Sequence, residues 1–189
     1  MIKGQIEIRV TGYGGQGVVL SGYIIGRAVT IYDDKNATMT QTFGPEARGS
    51  ACSISMIISP DPIYYPYVTS PNILVAMSPE GYEKHYPIVT DDAIIIVEED
   101  IVHPGKIKDT QTLYTCPATR IAEELGRRLV LNVVMLGFFA GATELVSEEA
   151  MRKSIQASVP EGTEELNLMA FERGYAYFQE AKRAEEAQV

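Results

Sequence analysis

Cysteine is scarce in this chain of 189 residues: only Cys52 and Cys116 occur, far apart and without a CxxC pair. An iron–sulfur cluster needs about four thiolates and a structural zinc site needs closely spaced Cys and His, so neither is built from this sequence. Both cysteines read as small buried hydrophobes rather than as a disulfide. Positive charge is also in deficit, with 16 Lys and Arg against 25 Asp and Glu, a net charge of −9 and a pI near 4.8. No basic stripe is present to neutralise phosphates, which argues against a nucleic-acid partner. No apolar run is long enough to span a bilayer. The chain opens Met-Ile-Lys-Gly-Gln and passes straight into a strand pattern, so no signal peptide and a cytoplasmic setting are expected. Internal repeats, linkers and low-complexity stretches are missing too, which leaves one domain over 1–189 with a frayed end from about 184.

Glycine, by contrast, is concentrated. Gly12-Tyr13-Gly14-Gly15-Gln16-Gly17 places four glycines in six residues between an alternating run (Ile6, Ile8, Val10) and a helical pattern. Without a Cβ, the backbone can turn sharply there and its N–H groups can approach another molecule closely. The turn lies at a helix N-terminus, where an anion would be favoured. Gly12, Gly14 and Gly17 satisfy GxGxxG, but a dinucleotide site also asks for an acid at the end of the second strand. That strand ends Gln41-Thr42-Phe43, and Asp33 and Asp34 precede it. A P-loop is excluded because Val18-Val19 stand where Lys and Ser or Thr are required. Taken alone, the loop admits two readings, an anion or cofactor site and a purely structural turn.

The remaining pattern is α/β. Strands are expected over 5–11, 37–43, 51–59, 73–77, 93–97 and 111–115. Helices are expected over 18–32 (Leu20, Ile24, Ala28 and Ile31 inward), 79–86 (capped by Ser78), 118–128, 132–145, from Ser147, and over 163–183. The short loop 44–50 makes the second and third strands an antiparallel pair, whereas the apolar runs 73–77 and 93–97 read as buried parallel strands. The sheet is therefore mixed, with a Rossmann-like glycine loop and helices on its faces. Residues 132–145 are apolar nearly all round, and Gly137, Ala140 and Gly141 make a small-residue stripe suited to close helix contact in the core or across an interface. Tyr64, Tyr65 and Tyr67, beside Pro62 and Pro66, form an aromatic patch suited to an interface, or else an edge segment folded onto its own sheet.

Few side chains suggest chemistry. Arg48, in Gly44-Pro45-Glu46-Ala47-Arg48-Gly49-Ser50, is the best single cation for a carboxylate or phosphate, although for a lone loop arginine the plainer reading, an internal pair with Glu46 or a salt bridge across a subunit interface, is favoured. Glu98, Glu99 and Asp100 follow a buried strand and read as solvated turn acids rather than cation ligands. His85 and His103 have no visible partner, and Ser50 and Ser53 lack the setting of a hydrolase nucleophile.

Two stretches carry a resemblance. Ile8-Arg9-Val10-Thr11-Gly12-Tyr13-Gly14-Gly15-Gln16-Gly17-Val18-Val19-Leu20-Ser21-Gly22 and Gln41-Thr42-Phe43-Gly44-Pro45-Glu46-Ala47-Arg48-Gly49-Ser50 together resemble the gamma subunit of 2-oxoacid:ferredoxin oxidoreductases, the 2-oxoglutarate branch most of all. The likeness continues through 57–59, 71–77, 132–137 and 167–174. It departs at Ser50, where the family usually has glycine, and at Phe43, where it usually has tyrosine. The resemblance implies a subunit of a complex that decarboxylates a 2-oxoacid on thiamine diphosphate, passes electrons through Fe–S clusters to ferredoxin and releases acyl-CoA. The chain has no Gly-Asp-Gly and Asn-Asn pair for thiamine, so both cofactors are expected on partners: thiamine-binding alpha and beta chains and a ferredoxin-like chain. On this chain the resemblance implies no catalytic residue and no metal ligand. A coenzyme A contact through Gly14, Gly15, Gln16, Gly17 and Arg48 is possible, and the isolated chain is expected to be inactive.

Overall fold

A computed structural model describes residues 4–44 and 51–187. Among these residues six strands form one sheet: β1 (Ile6–Tyr13), β2 (Asn36–Phe43), β3 (Ala51–Ser59), β4 (Ile73–Ala76), β5 (Ile94–Glu98) and β6 (Thr112–Cys116), in the order β2-β3-β1-β4-β5-β6. β3 runs antiparallel to both β1 and β2, while β1, β4, β5 and β6 are mutually parallel, as the two kinds of apolar pattern require. Six α-helices accompany the described strands: α1 (Val18–Arg27), α2 (Pro79–His85), α3 (Ala118–Glu124), α4 (Leu131–Thr143), α5 (Glu148–Gln156) and α6 (Glu164–Glu186).

The two sheet faces are dressed unequally. Ile6, Ile8 and Val10 of β1, Ile54, Met56 and Ile58 of β3, and Ile73 and Val75 of β4 point to one side. There they meet α1, α3, α4, α5 and α6 in the main core. The opposite side carries a smaller cluster: Leu74, Ala76, Ile95 and Val97 beneath Tyr82 of α2, with Val89 and Val102. On that same side β1, β3 and β2 present mostly polar groups, Glu7, Arg9, Thr11, Ser53, Ser55, Thr38, Thr40 and Thr42, around the buried Ile57.

Helix α4 lies inside the fold for all but its last two residues. Every residue from Leu131 to Gly141 is buried, and the largest helix contact is with α6. The small-residue stripe is thus a core feature. A Cβ on Gly137 would collide with the Phe171 carbonyl oxygen, and one on Gly174 with that of Val134, so the two helices touch backbone to backbone. Caps agree with the sequence: Gly81 N–H donates to Ser78 Oγ (3.2 Å) and Ala150 N–H to Ser147 Oγ (3.2 Å). Asp33 accepts from Ser147 N–H (2.8 Å) and Ser147 Oγ–H (2.7 Å), so this acid joins the end of the first helical stretch to α5.

Two helix bounds need correction. The first helix ends at Arg27 and continues as a wider π-helical turn over Ala28–Tyr32; the extra residue per turn carries Ile31 outward, to 66% exposure. The helix expected over 118–128 stops at Glu124, because Gly126 takes a left-handed φ of 81° just beyond it. The final helix is regular to Glu186, with Phe171 and Phe178 buried. The tyrosine segment does not fold its rings inward: Tyr64, Tyr65 and Tyr67 are all exposed. Glu7 Oε2 holds the chain after them by accepting from Thr69 N–H and Ser70 N–H (2.9 and 3.0 Å).

Candidate functional site

The glycine loop sits at the C-terminal ends of the parallel strands, beside the point where β1 changes from an antiparallel to a parallel neighbour. In open α/β sheets this is where ligands gather. Most of its glycines answer local constraints. Gly15 and Gly17 take φ of 98° and 73°. A Cβ on Gly17 would lie 2.5 Å from Asn132 Nδ2 of α4, and one on Gly12 would lie 2.7 Å from Gln16 Oε1.

Gln16 is the internal clamp of the loop. Its Oε1 accepts from Tyr13 N–H (2.6 Å) and its Nε2–H donates to Met77 O (3.0 Å), which ties the loop to the end of β4. Gln16 N–H itself donates to Tyr13 O (3.0 Å). Asn132 Nδ2–H donates to Gly17 O at 3.4 Å. With these bonds made, the N–H groups of Gly14, Gly15 and Gly17 have no hydrogen-bond partner among the described residues. They stand ahead of the first turn of α1, whose own N–H groups are also unspent. Beside them opens a cavity of about 320 Å³ lined by Tyr13, Gly14, Gly15, Gly17, Phe43 and Cys52, among others. The loop can therefore offer backbone donors and a partial positive charge to an anion, through its main chain rather than the Gln16 amide.

Arg48, and with it Glu46, Ser50 and the question of an internal ion pair, lies outside the described residues. Gly44 and Ala51, which bracket that loop, line or adjoin the glycine-loop cavity.

The acids after β5 do not behave alike. Glu98 is fully buried, contrary to its reading as a solvated turn acid, because it occupies the inward register at the strand end. Its Oε1 accepts from Thr119 N–H at the start of α3 (3.0 Å), while Oε2 and Thr119 Oγ have no partner among the described residues. Glu99 and Asp100 conform to expectation, pairing on the surface with Arg120 at 2.9 and 3.3 Å. No cluster of three potential metal ligands exists among the described residues. Cys52 and Cys116 are buried and unbridged, and burial pushes both thiols up, away from reactivity. A larger trough of about 850 Å³ between α1 and β2 is lined mainly by apolar groups such as Tyr23, Ile31 and Met39. Among the described residues its lining includes one cation, Arg27, which donates to Ala157 O.

Sequence reasoning missed two polar contacts. Asn132 appeared only as part of an apolar helix, although a single amide at the start of such a helix is a visible signal. His85 is buried, and its pKa falls to about 4 through burial and the neighbouring charges of Arg9 and Lys84. The sign of its neighbour, an arginine on the polar side of β1, was legible; the meeting was not, because α2 brings the two together from far apart in sequence.

The pyruvate ferredoxin/flavodoxin oxidoreductase family matches residues 7–177. The chain is 46% identical over 176 residues to the 2-oxoglutarate synthase subunit KorC of Methanocaldococcus jannaschii, covering 92% of this chain and 94% of that one. It is 43% identical over 189 residues to the KorC subunit of Methanothermobacter thermautotrophicus, covering 97% and 100%. The keto/oxoacid ferredoxin oxidoreductase gamma subunit of Geobacter sulfurreducens has the same fold (TM-score 0.79, 32% identity, 92% of this chain and 98% of that chain). So does part of the 2-oxoglutarate:ferredoxin oxidoreductase of Magnetococcus marinus, solved with 2-oxoglutarate, coenzyme A and succinyl-CoA bound. There the TM-score is 0.83 at 21% identity, and the match takes in 94% of this chain but 32% of the other. The fold is thus that of an oxidoreductase subunit. The chain belongs to the pyruvate ferredoxin/flavodoxin oxidoreductase family, and it is similar along nearly its whole length to the KorC subunits.

Proposed function

We propose that this chain is the gamma subunit of a complex that oxidatively decarboxylates 2-oxoglutarate to its acyl-CoA and passes the electrons to ferredoxin. In this reading thiamine diphosphate and the Fe–S clusters reside on thiamine-binding alpha and beta chains and a ferredoxin-like chain, and this chain alone turns nothing over. The substrate assignment rests on the likeness to the KorC subunits. Nothing on this chain offers the four thiolates of a cluster: the sequence contains two cysteines, and both are buried.

The role within the complex is to receive coenzyme A. The observation that carries it is the row of unspent N–H groups at Gly14, Gly15 and Gly17, ahead of the α1 N-terminus and open to the adjoining cavity. Such a row suits a phosphate oxygen, and it needs no side chain. Gln16 shapes the row, and Arg48 supplies the compensating guanidinium. The decisive measurement is the apparent affinity for coenzyme A of the reconstituted complex carrying Arg48→Ala. Loss of one charge-assisted contact corresponds to a rise of about tenfold or more in KM with assembly intact. Unchanged coenzyme A dependence in an assembled complex would leave the chain a scaffold without a ligand role. Purification of the chain without partners is the companion test: it should carry neither colour nor thiamine cofactor, and ferredoxin-reducing activity by itself would defeat the subunit reading.

A further inference from the structure

The polar half of the second sheet face contains a cation, Arg9, without an ion pair among the described residues; the carboxylate of Glu7, two positions away on the same face, offsets it only in part. Arg9 lies in the middle of β1, partly buried, and its Nε–H is enclosed without a hydrogen-bond partner. It forms no ion pair with any described residue; Glu7, the acid two positions away, is engaged with the backbone of Thr69 and Ser70. Burial pulls the guanidinium below its ordinary pKa, only partly opposed by Glu7. A buried donor and a partly desolvated charge left open are costly, and folded proteins retain them where something else completes them.

The surroundings are suited to an oxyanion. Arg9 is paired in register with Ser55 of β3, and Ser55 with Thr40 of β2, so a guanidinium and two hydroxyls lie in one row across three strands. No described hydrogen bond occupies the Ser55 or Thr40 hydroxyl. The opposite flank is His85. Gly81 of α2 rests directly on Thr11, so close that a Cβ there would collide with the Thr11 side chain. One helical turn onward, antiparallel to β1, brings His85 over the level of Arg9. No carboxylate lies in that row.

From this geometry we propose that Arg9, Ser55 and Thr40 form an oxyanion-binding site on the sheet face opposite the main core, separate from any coenzyme A contact of the glycine loop. The guanidinium supplies charge and a fork of donors, including the orphaned Nε–H, and the hydroxyls supply two further donors. A phosphate group and a carboxylate share this chemistry. His85 is the natural reporter, because the charged groups that bear on it are Arg9 from β1 and its own neighbour Lys84. An anion on Arg9 screens that repulsion.

The chain has only two histidines, His85 and the exposed His103, so their imidazole resonances can be followed in the full-length protein by NMR. Titration with inorganic phosphate, at ionic strength held constant with chloride, should shift the His85 signals saturably and leave those of His103 unmoved. Arg9→Met should weaken the apparent affinity at least tenfold, and Arg9→Lys should retain part of it. Ser55→Ala keeps the charge and removes one donor, and should weaken binding severalfold even if Arg9→Met fails to fold. Acetate in place of phosphate separates the two sources: a tighter response to phosphate assigns a phosphate group, and an equal or tighter response to acetate assigns a carboxylate. A His85 signal indifferent to both anions, or an affinity unchanged in Ser55→Ala and Arg9→Met, overturns the site.

Discussion

His85 is a basic side chain that folding keeps from its proton. Its pKa near 4 lies below the ordinary value of 6.5, so the unfolded chain binds the proton more readily than the folded one. Stability is therefore complete above about pH 6.5 and declines as the pH falls towards 4. The decline attributable to this residue is on the order of 2 kcal/mol. His85→Leu should flatten that portion of a urea-denaturation series against pH; a slope unchanged by the substitution would assign the acid sensitivity elsewhere. At the same scale, Gln16→Ala removes both bonds that hold the glycine loop to β1 and β4. It should cost about 1 to 3 kcal/mol in equilibrium unfolding. An effect below a few tenths of a kcal/mol would show that the loop holds its shape without the clamp. Gln16 illustrates how a site residue is half legible in sequence: its place within the glycine run is visible, but which atoms it spends is fixed by Met77, sixty-one positions away.

Among the elements, the α4–α6 contact is the least tolerant of change. Gly174→Ala would press a methyl group into the Val134 carbonyl, which belongs to a helix backbone and cannot swing aside. We expect a loss of about 3 kcal/mol or more, read as a lowered urea midpoint, or failure to fold. Near-native stability would mean that the helices can separate at little cost. The sequence exposes the glycine and alanine stripe on α4 and the glycine on α6, and their periodicity places them on helices. It does not say that they face each other, since that depends on the return of the chain through α5. For the same reason Ile31 is misjudged: helical spacing holds only while the helix keeps 3.6 residues per turn, and the π-helical turn over Ala28–Tyr32 breaks that count. Strand order is more legible, because alternating and continuous apolar runs separate the antiparallel edge from the parallel half.

For the molecule as a whole, the unequal dressing of the sheet divides what can react from what cannot. Both cysteines point to the helix-covered side, Cys52 at 6% exposure and Cys116 at 0%. Neither should react with a bulky aromatic disulfide reagent in the native state, and both should in denaturant. Rapid modification of native Cys116 would show that the core opens readily around β6. The single α/β domain and its mixed sheet follow from pattern and loop lengths. The polar stretch of the other face is less evident, since Arg9, Ser55 and the β2 threonines each look like an ordinary solvent-facing residue until pairing sets them side by side.

The bond from Asn132 to Gly17 links the glycine loop to the most deeply buried helix of the fold. Together with the Gln16 clamp, it means that the loop surrenders its conformational freedom when the chain folds, not when a ligand arrives. A molecule that docks on these N–H groups meets donors already in position and bears little of the entropic cost of ordering them. Recognition there should resemble a key entering a cut lock, with selectivity set by the fixed spacing of the donors and not by the loop reshaping itself around whatever comes.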